Sequence, residues 1–450
     1  MAIYDAACTV FSRLICIIFA LNFYSMLQIN YIRQHAAQVK ERLAVKHFAQ
    51  IDLIDELLKT DEALRKQKNN SESLQATMNA ASKEIGALMA AGNREAAEAK
   101  KQEVATQKEA MVAAKLELDK LESAFNEMIV QLPNLPHASV PAGKTPLHNE
   151  VVVEGGSIPA LPADAKPHWE LIKEYDIIDF ETGARITGSG FPIYKGKGAK
   201  LQRALIQYFL DYNTEAGYLE VTPPLMVNEA TAYGTGQLPD KEGQMYHITA
   251  DGFYLIPTAE VPVTNIYADE IIKEDLLPIK MTGYTPCFRR EAGSFGSDVR
   301  GLNRLHQFDK VEIVQLVHPA TSYTVLEEMA NHVERLLQYL ELPYRKLRLC
   351  GGDMSFASAL TYDFEVFSTA QQKWLEVSSV SNFETFQTNR MKTRYKNAEG
   401  KTELLHSLNG SSLALPRIVA ALLENNQAAD GIHLPKVLHG YFGAAKIDKP

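Results

Sequence analysis

With 450 residues the chain has room for two or three domains, and 46% hydrophobic with 22% charged residues is an ordinary globular balance that excludes a disordered chain or a multi-span membrane protein. A formal net charge of −9 argues against indiscriminate nucleic-acid binding, although a local basic surface on an acidic protein still holds a polyanion. Cys8, Cys16, Cys287 and Cys350 lack paired metal-ligand spacing and are too few to staple a chain of this size, which points to reduced thiols in a cytosolic setting.

The first 25 residues do not fit that picture. "LICIIFALNF" is about as long as a signal-peptide core, but Arg13 precedes it and no small-residue cleavage site follows. It is also too short to span a bilayer, which takes about 20 apolar residues. Residues 1–25 are therefore expected to be an upstream translation outside the fold, with Met26 as the start.

From about residue 51 to 132 the sequence is rich in Ala, Glu, Lys, Gln and Leu and contains no proline. Apolar or small residues recur at heptad spacing through Leu57, Leu64, Ser71, Leu74, Met78, Ala81, Ile85 and Leu88, and again through Val104, Met111, Ala114, Leu118, Leu121, Phe125, Met128 and Leu132. "AAGNRE" (90–95) interrupts them with residues that end helices. Two long helices joined there fold back into an antiparallel coiled-coil hairpin. Taken alone, such a hairpin serves dimerisation or spacing as readily as RNA binding, and its lysines fit a solvated face equally well.

"LPNLPHASVPAGKTP" (132–146) is dense in proline and should end the second helix in an extended linker, taken as 136–165. Residues 166–450 read as a second, mixed α+β domain. "AKLQRALIQYFLDYNTEAGYLEVTPPLMV" (199–227) predicts an amphipathic helix ending near Gly217 and a short strand running into Pro223 and Pro224. A proline pair there places the strand at an edge or an interface.

Four further segments carry chemistry. "PTAEVP" (257–262) sets Thr258 and Glu260 between prolines. "PCFRREAGSFGSDVRGLNRLHQFDKVE" (286–312) reads as a β-hairpin, with Arg289 and Glu291 on one face of the first arm and Arg304, Phe308 and Glu312 sharing parity on the second. A solvated hairpin with cross-strand ion pairs is the plain alternative. "LEVSSVSNFETFQTNR" (375–390) ends a predicted strand on Glu376 and Ser379, and "HSLNGSSLALPRIVAALLENNQ" (406–427) predicts a strand, a small-residue turn and a helix opening near Arg417.

In this order, after a coiled-coil hairpin, the segments resemble the three signature motifs of the class II aminoacyl-tRNA synthetases, and within that class the seryl-tRNA synthetase family. The resemblance covers 26–450. It implies a tRNA-binding coiled-coil domain (26–135) and a catalytic domain (166–450) built on a mixed, mainly antiparallel sheet flanked by helices. It implies a ligase that activates L-serine with ATP and Mg2+ and passes it to tRNA(Ser), with tRNA(Sec) as a further acceptor where that tRNA exists. A cytoplasmic homodimer with no membrane partner goes with it.

By matched position, the resemblance gives the residues roles. Arg289 contacts the α-phosphate and the serine carboxylate, Glu291 reads the adenine amino group, Phe308 stacks under adenine, and Arg417 covers the other face or the γ-phosphate. Arg290, Leu305, Val377 and Ser378 complete the ATP contacts, and Glu376 with Ser379 holds Mg2+. Glu312 reads the serine hydroxyl with Asn409 and Ser411 closing the pocket, while Thr258, Ala259 and Glu260 hold the α-amino end. Arg65, Lys66, Lys68, Lys100, Lys101 and Lys108 are candidate tRNA contacts.

Physical chemistry supports these roles independently of the family. A carboxylate and an ATP phosphate repel, and a guanidinium bridging both removes that barrier better than lysine's point charge. The substrate carboxylate is already ionised near neutral pH, so no general base is needed. A carboxylate that hydrogen-bonds a substrate hydroxyl is left unpaired by alanine, a mismatch that discriminates by about 10⁴-fold.

Plainer assignments remain for some neighbours. Cys287 and Cys350 read as core thiols, His306 as a structural histidine, and Lys310 as a surface lysine. Ser412 stands where the family commonly has a second glycine. A ligase that loads a carrier protein should lack the hairpin, and a catalytically dead scaffold should have lost one of Arg289, Glu291, Glu312, Glu376 or Arg417.

Overall fold

A computed structural model of the chain describes residues 27–162, 164–240, 242–291 and 300–450. The expectation for residues 1–25 and a start at Met26, and the tip of the 286–312 hairpin, lie outside the described residues. The described chain divides into two compact units, 48–133 with the preceding residues up to 44, and 134–450 with the short stretch 45–47.

The first unit contains helices α1 (Ile29–Val45), α2 (Leu53–Ala90) and α3 (Arg94–Ile129). Gly92, at φ +77°, makes the turn between α2 and α3, and the Asn93 side chain caps α3 by accepting from the Ala96 amide. The two helices pack together along their length, and every expected heptad residue is buried or half-buried while the positions between are mostly exposed. Gln67 donates across the seam to the Ala114 carbonyl at 2.8 Å. At its base, the buried carboxylate of Asp61 holds Arg33 of α1 at 2.9 Å and Arg65 at 3.1 Å. Helix α1 is an element that the heptad pattern did not announce.

The second unit is built on one eight-stranded sheet. Its strands are β1 (Glu150–Gly155), β2 (Leu219–Glu220), β3 (Ile279–Phe288), β4 (Gln307–Val317), β5 (Tyr344–Arg348), β6 (Leu360–Ser368), β7 (Lys373–Asn382) and β8 (His406–Ala414). They lie in the order β1-β5-β6-β7-β8-β4-β3-β2, every ladder antiparallel except β2 on β3. The strand before the proline pair is thus an edge strand, as its prolines require.

The stretch 136–165, expected to be a linker, needs correcting. Its Val151–Val153 run forms β1, which pairs with β5 and closes the opposite edge of the sheet. β-branched residues won over the surrounding prolines, which lie outside the strand.

Helices α4 (Gly196–Glu215), α5 (Ser322–Tyr339) and α6 (Leu415–Asn425) cover one face of the sheet. Their apolar stripes, including Leu205 and Phe209, Leu326 and Val333, and Ile418 and Leu422, meet Val311, Ile313, Phe364 and Val366 in the main core. Among the described residues no helix is long and apolar enough to cross a membrane.

Candidate active site

The face of β4 opposite that core builds the site. Val311 and Ile313 enter the core, and alternation therefore sends Phe308, Lys310 and Glu312 to the other side, where they line a cavity of about 650 Å³. Thr258 and Glu260, Arg289 and Glu291, Leu305, the run Glu376–Ser379, Asn409, Ser411 and Arg417 line the same cavity. Residues drawn from five segments of sequence therefore share one space.

At one end Glu312 is almost wholly buried. Its Oε2 forms an ion pair with Lys310 Nζ at 2.7 Å and accepts from Thr258 Oγ1 at 3.3 Å and Ser411 Oγ at 3.4 Å. Lys310, expected at the surface, is a buried partner of that carboxylate with a side chain 8% exposed. Glu260 lies close by and accepts from Gln387 Nε2 at 2.7 Å. Burial pushes its carboxyl up to about 7, the Glu312 charge adds to the rise, and Gln387, Lys310 and Asn409 pull it back. Asn409 is buried in the same wall and turns its amide toward the Glu260 carboxyl.

At the other end the arginines gather. The Arg289 guanidinium lies 5.2 Å over the Phe308 ring, and its Nε donates to the Pro257 carbonyl at 3.4 Å. Arg417, in the first turn of α6, donates from Nη1 to the Glu376 carbonyl at 2.7 Å and from Nε to the Asn303 carbonyl at 3.1 Å. Glu291 carries φ +49° and accepts from Arg304 at 2.8 Å, so the cross-strand ion pair of a solvated hairpin also exists, at the cavity rim.

Opposite Ser379 on the β6–β7 ladder is Asp363, which accepts from the Ser379 hydroxyl. Burial, and then the Glu376 charge, hold its carboxyl well above the usual range, and its buried Oδ1 has no partner among the described residues. An oxygen-only donor set with surplus acid suits a hard cation. Among the described residues no group of three or more His, Cys, Asp or Glu is arranged to hold a metal, so such a cation would complete its shell with substrate or water oxygens.

Two of the expected contacts fall outside the lining. Ala259 is fully buried behind the cavity wall, and Arg290 is exposed. Ser412 turns away from the cavity and donates to Asn213 Oδ1 at 2.9 Å in the core. His306 is a satisfied structural histidine, bonded to the Tyr246 hydroxyl at 2.9 Å and stacked on Phe191. Cys287 and Cys350 are buried free thiols.

Two lining segments carried no sequence signal. Thr235–Gln237 is held by Arg390, which donates to the flanking carbonyls of Tyr233 and Leu238 from between the Tyr233 and Phe386 rings. Ser355–Ala357 is held by Lys46, which donates to the carbonyls of Ser355 at 2.8 Å and Ser358 at 2.7 Å. Lys310 did have a signal, its shared parity with Phe308 and Glu312.

An antiparallel sheet presenting arginines, a stacking ring and buried carboxylates to one cavity is the core of a class II aminoacyl-tRNA synthetase. Residues 246–426 match the tRNA synthetase class II core domain (G, H, P, S and T), and residues 26–136 match the seryl-tRNA synthetase N-terminal domain. The serine–tRNA ligase of Salinibacter ruber is 51% identical over 94% of this chain and 99% of its own, and that of Methylacidiphilum infernorum is 47% identical over 93% and 99%. The crystal structure of seryl-tRNA synthetase from Pyrococcus horikoshii complexed with ATP superposes with a TM-score of 0.87 at 31% identity, covering 94% of this chain and all of that one. The chain belongs to the seryl-tRNA synthetase family.

Proposed function

We propose that this protein is a serine–tRNA ligase, which joins L-serine to ATP as seryl-adenylate with release of pyrophosphate and then passes the seryl group to the 3′-terminal adenosine of tRNA(Ser). The buried Glu312 carboxylate, flanked by hydroxyls in a cavity that also holds Arg289 and Arg417, is the observation that carries the reading. A serine hydroxyl donates to Glu312, and its ammonium group sits against Thr258 and Glu260. Alanine leaves the carboxylate short of a donor, which is the basis of its rejection.

Arg289 brings the serine carboxylate to the α-phosphate of ATP. A carboxylate oxygen attacks the α-phosphorus, the bond to the bridging oxygen breaks, and pyrophosphate leaves with Arg417 neutralising its charge. Phe308 stacks on adenine and Glu291 accepts from its amino group, an exchange that releases the Glu291–Arg304 pair. Glu376 and Ser379 are the residues that would hold Mg2+, which supplies neutralisation of phosphate charge when bound. In the second step a ribose hydroxyl attacks the seryl carbonyl and AMP leaves.

The helical hairpin supplies the tRNA contact, through phosphates and riboses rather than base edges. Of its candidates, Lys66, Lys100 and Lys101 are engaged in ion pairs with Glu62, Glu84 and Glu98, exposed pairs that are cheaply exchanged for phosphate. A cytoplasmic homodimer, with tRNA(Sec) as a second acceptor, completes the reading.

Pyrophosphate exchange with ATP, Mg2+ and each of serine, threonine, alanine, glycine and cysteine tests it, run beside Glu312→Ala. Serine-dependent exchange that falls by about 10² or more in the variant is expected. Exchange with none of the five would sink the assignment.

A further inference from the structure

We propose that Lys310 is a positioning residue for amino-acid selection, one that holds the Glu312 carboxylate turned so that a single oxygen is left to receive the substrate hydroxyl. The inference rests on the reading that Glu312 contacts that hydroxyl.

All three side-chain contacts of Glu312 end on Oε2, from Lys310, Thr258 and Ser411. Oε1 accepts no hydrogen bond from the described residues. An oxygen held this way is an acceptor of fixed direction, whereas a carboxylate free to rotate would offer either oxygen to any donor. The Lys310 ammonium fixes the choice because it is the shortest and the only charged contact of the three.

No other cation takes the place of Lys310. Glu260, from the 257–262 loop, is itself a carboxyl. Cys287, on β3, is a thiol that burial holds protonated. Arg289 is bonded to the Pro257 carbonyl and lies over Phe308. From β8 come only Asn409 and Ser411, which are neutral. Without the Lys310 ammonium the buried Glu312 carboxylate keeps only the two long hydroxyl contacts of Thr258 and Ser411, and either of its oxygens can then turn to a ligand.

The test compares exchange kinetics for serine and alanine in the wild-type protein, Lys310→Met and Lys310→Arg. In Lys310→Met the KM for serine should rise at least tenfold with a smaller change in kcat, and the preference for serine over alanine should fall at least tenfold. Lys310→Arg, which keeps the charge, should retain most of the preference. If Lys310→Met does not fold, Lys310→Gln carries the same contrast.

An unchanged preference in the uncharged variants overturns the proposal. So does a loss that is equal for serine and alanine and is not relieved by Lys310→Arg, which is what a merely structural lysine would give. Failure of the wild-type protein to exchange with serine would instead overturn the underlying assignment, so the two failures are distinguishable.

Discussion

Glu260 carries its charge reluctantly. Its carboxyl is raised from 4.5 to about 7 by burial and by Glu312, so between those values the folded chain keeps a proton that the unfolded chain has lost. Stability therefore falls as pH rises from about 4.5 to about 7, and the penalty is fully present above that. Glu260→Gln keeps an acceptor for Gln387 and removes the charge. It should be more stable than the parent at pH 8 by up to about 3 kcal/mol, with the gap shrinking toward pH 5, as denaturant titrations at the two pH values would show. A gap independent of pH would refute this. The same residue scale shows how far the sequence could be read. Motif spacing located most of the lining, but it carried Ala259 and Arg290 along as members of their motifs, although Ala259 sits buried in the turn before a short helix and Arg290 lies exposed beyond the end of β3. Lys310 was legible through the parity it shares with Phe308 and Glu312 on β4, where it read as a surface lysine between two functional neighbours and is instead buried against Glu312.

Strands and helices were legible where their periodicity was long. The α2–α3 seam followed its heptads to Gly92 and Asn93, and Phe308 and Glu312 kept their shared parity on β4, whereas Arg289, Glu291 and Arg304 lie beyond the paired strands, which end at Phe288 and begin at Gln307, with Glu291 at φ +49°. β1 was not seen because three valines between prolines look like a linker until a partner strand supplies hydrogen bonds, and α1 was missed because its apolar positions are few. Strand β8 explains one glycine in physical terms. Gly410 faces Val380 on β7, and a Cβ at that position would lie 2.9 Å and 3.2 Å from the two Val380 methyls, within a buried layer. Gly410→Ala should push β8 away from β7 and carry Asn409 and Ser411 with it. We expect a loss of about 1–3 kcal/mol in denaturant unfolding together with a raised KM for serine in pyrophosphate exchange. Unaltered KM at lowered stability would mean that the strand shifts without moving its cavity residues.

For the whole molecule, each of the two units has its own interior, the helical one along its seam and the catalytic one between sheet and helices. Amino-acid activation should therefore survive loss of the distal hairpin. Gln67 and Ala114 mark one level of that hairpin, so replacing 75–106 with a short glycine-containing turn shortens both helices on the tip side of that level. The variant should retain serine-dependent exchange within about twofold while charging of tRNA(Ser) falls by tenfold or more, since phosphate contacts on the arm are lost with it. Equal loss of both activities would mean that the hairpin supports the catalytic fold. This division into units was plain from the prolines at 132–146, whereas the cavity's second wall, at Thr235–Gln237 and Ser355–Ala357, rests on Arg390 and Lys46 reaching backbone carbonyls far away in sequence, a kind of contact that leaves no local pattern.

Cys287 lies directly across the β3–β4 ladder from Phe308, fully buried, with its thiol raised by that burial. An alkylating reagent meets it only when this ladder parts. Modification located at Cys287, apart from Cys8, Cys16 and Cys350, therefore proceeds at a pace that measures how firmly that hairpin is closed, without denaturant.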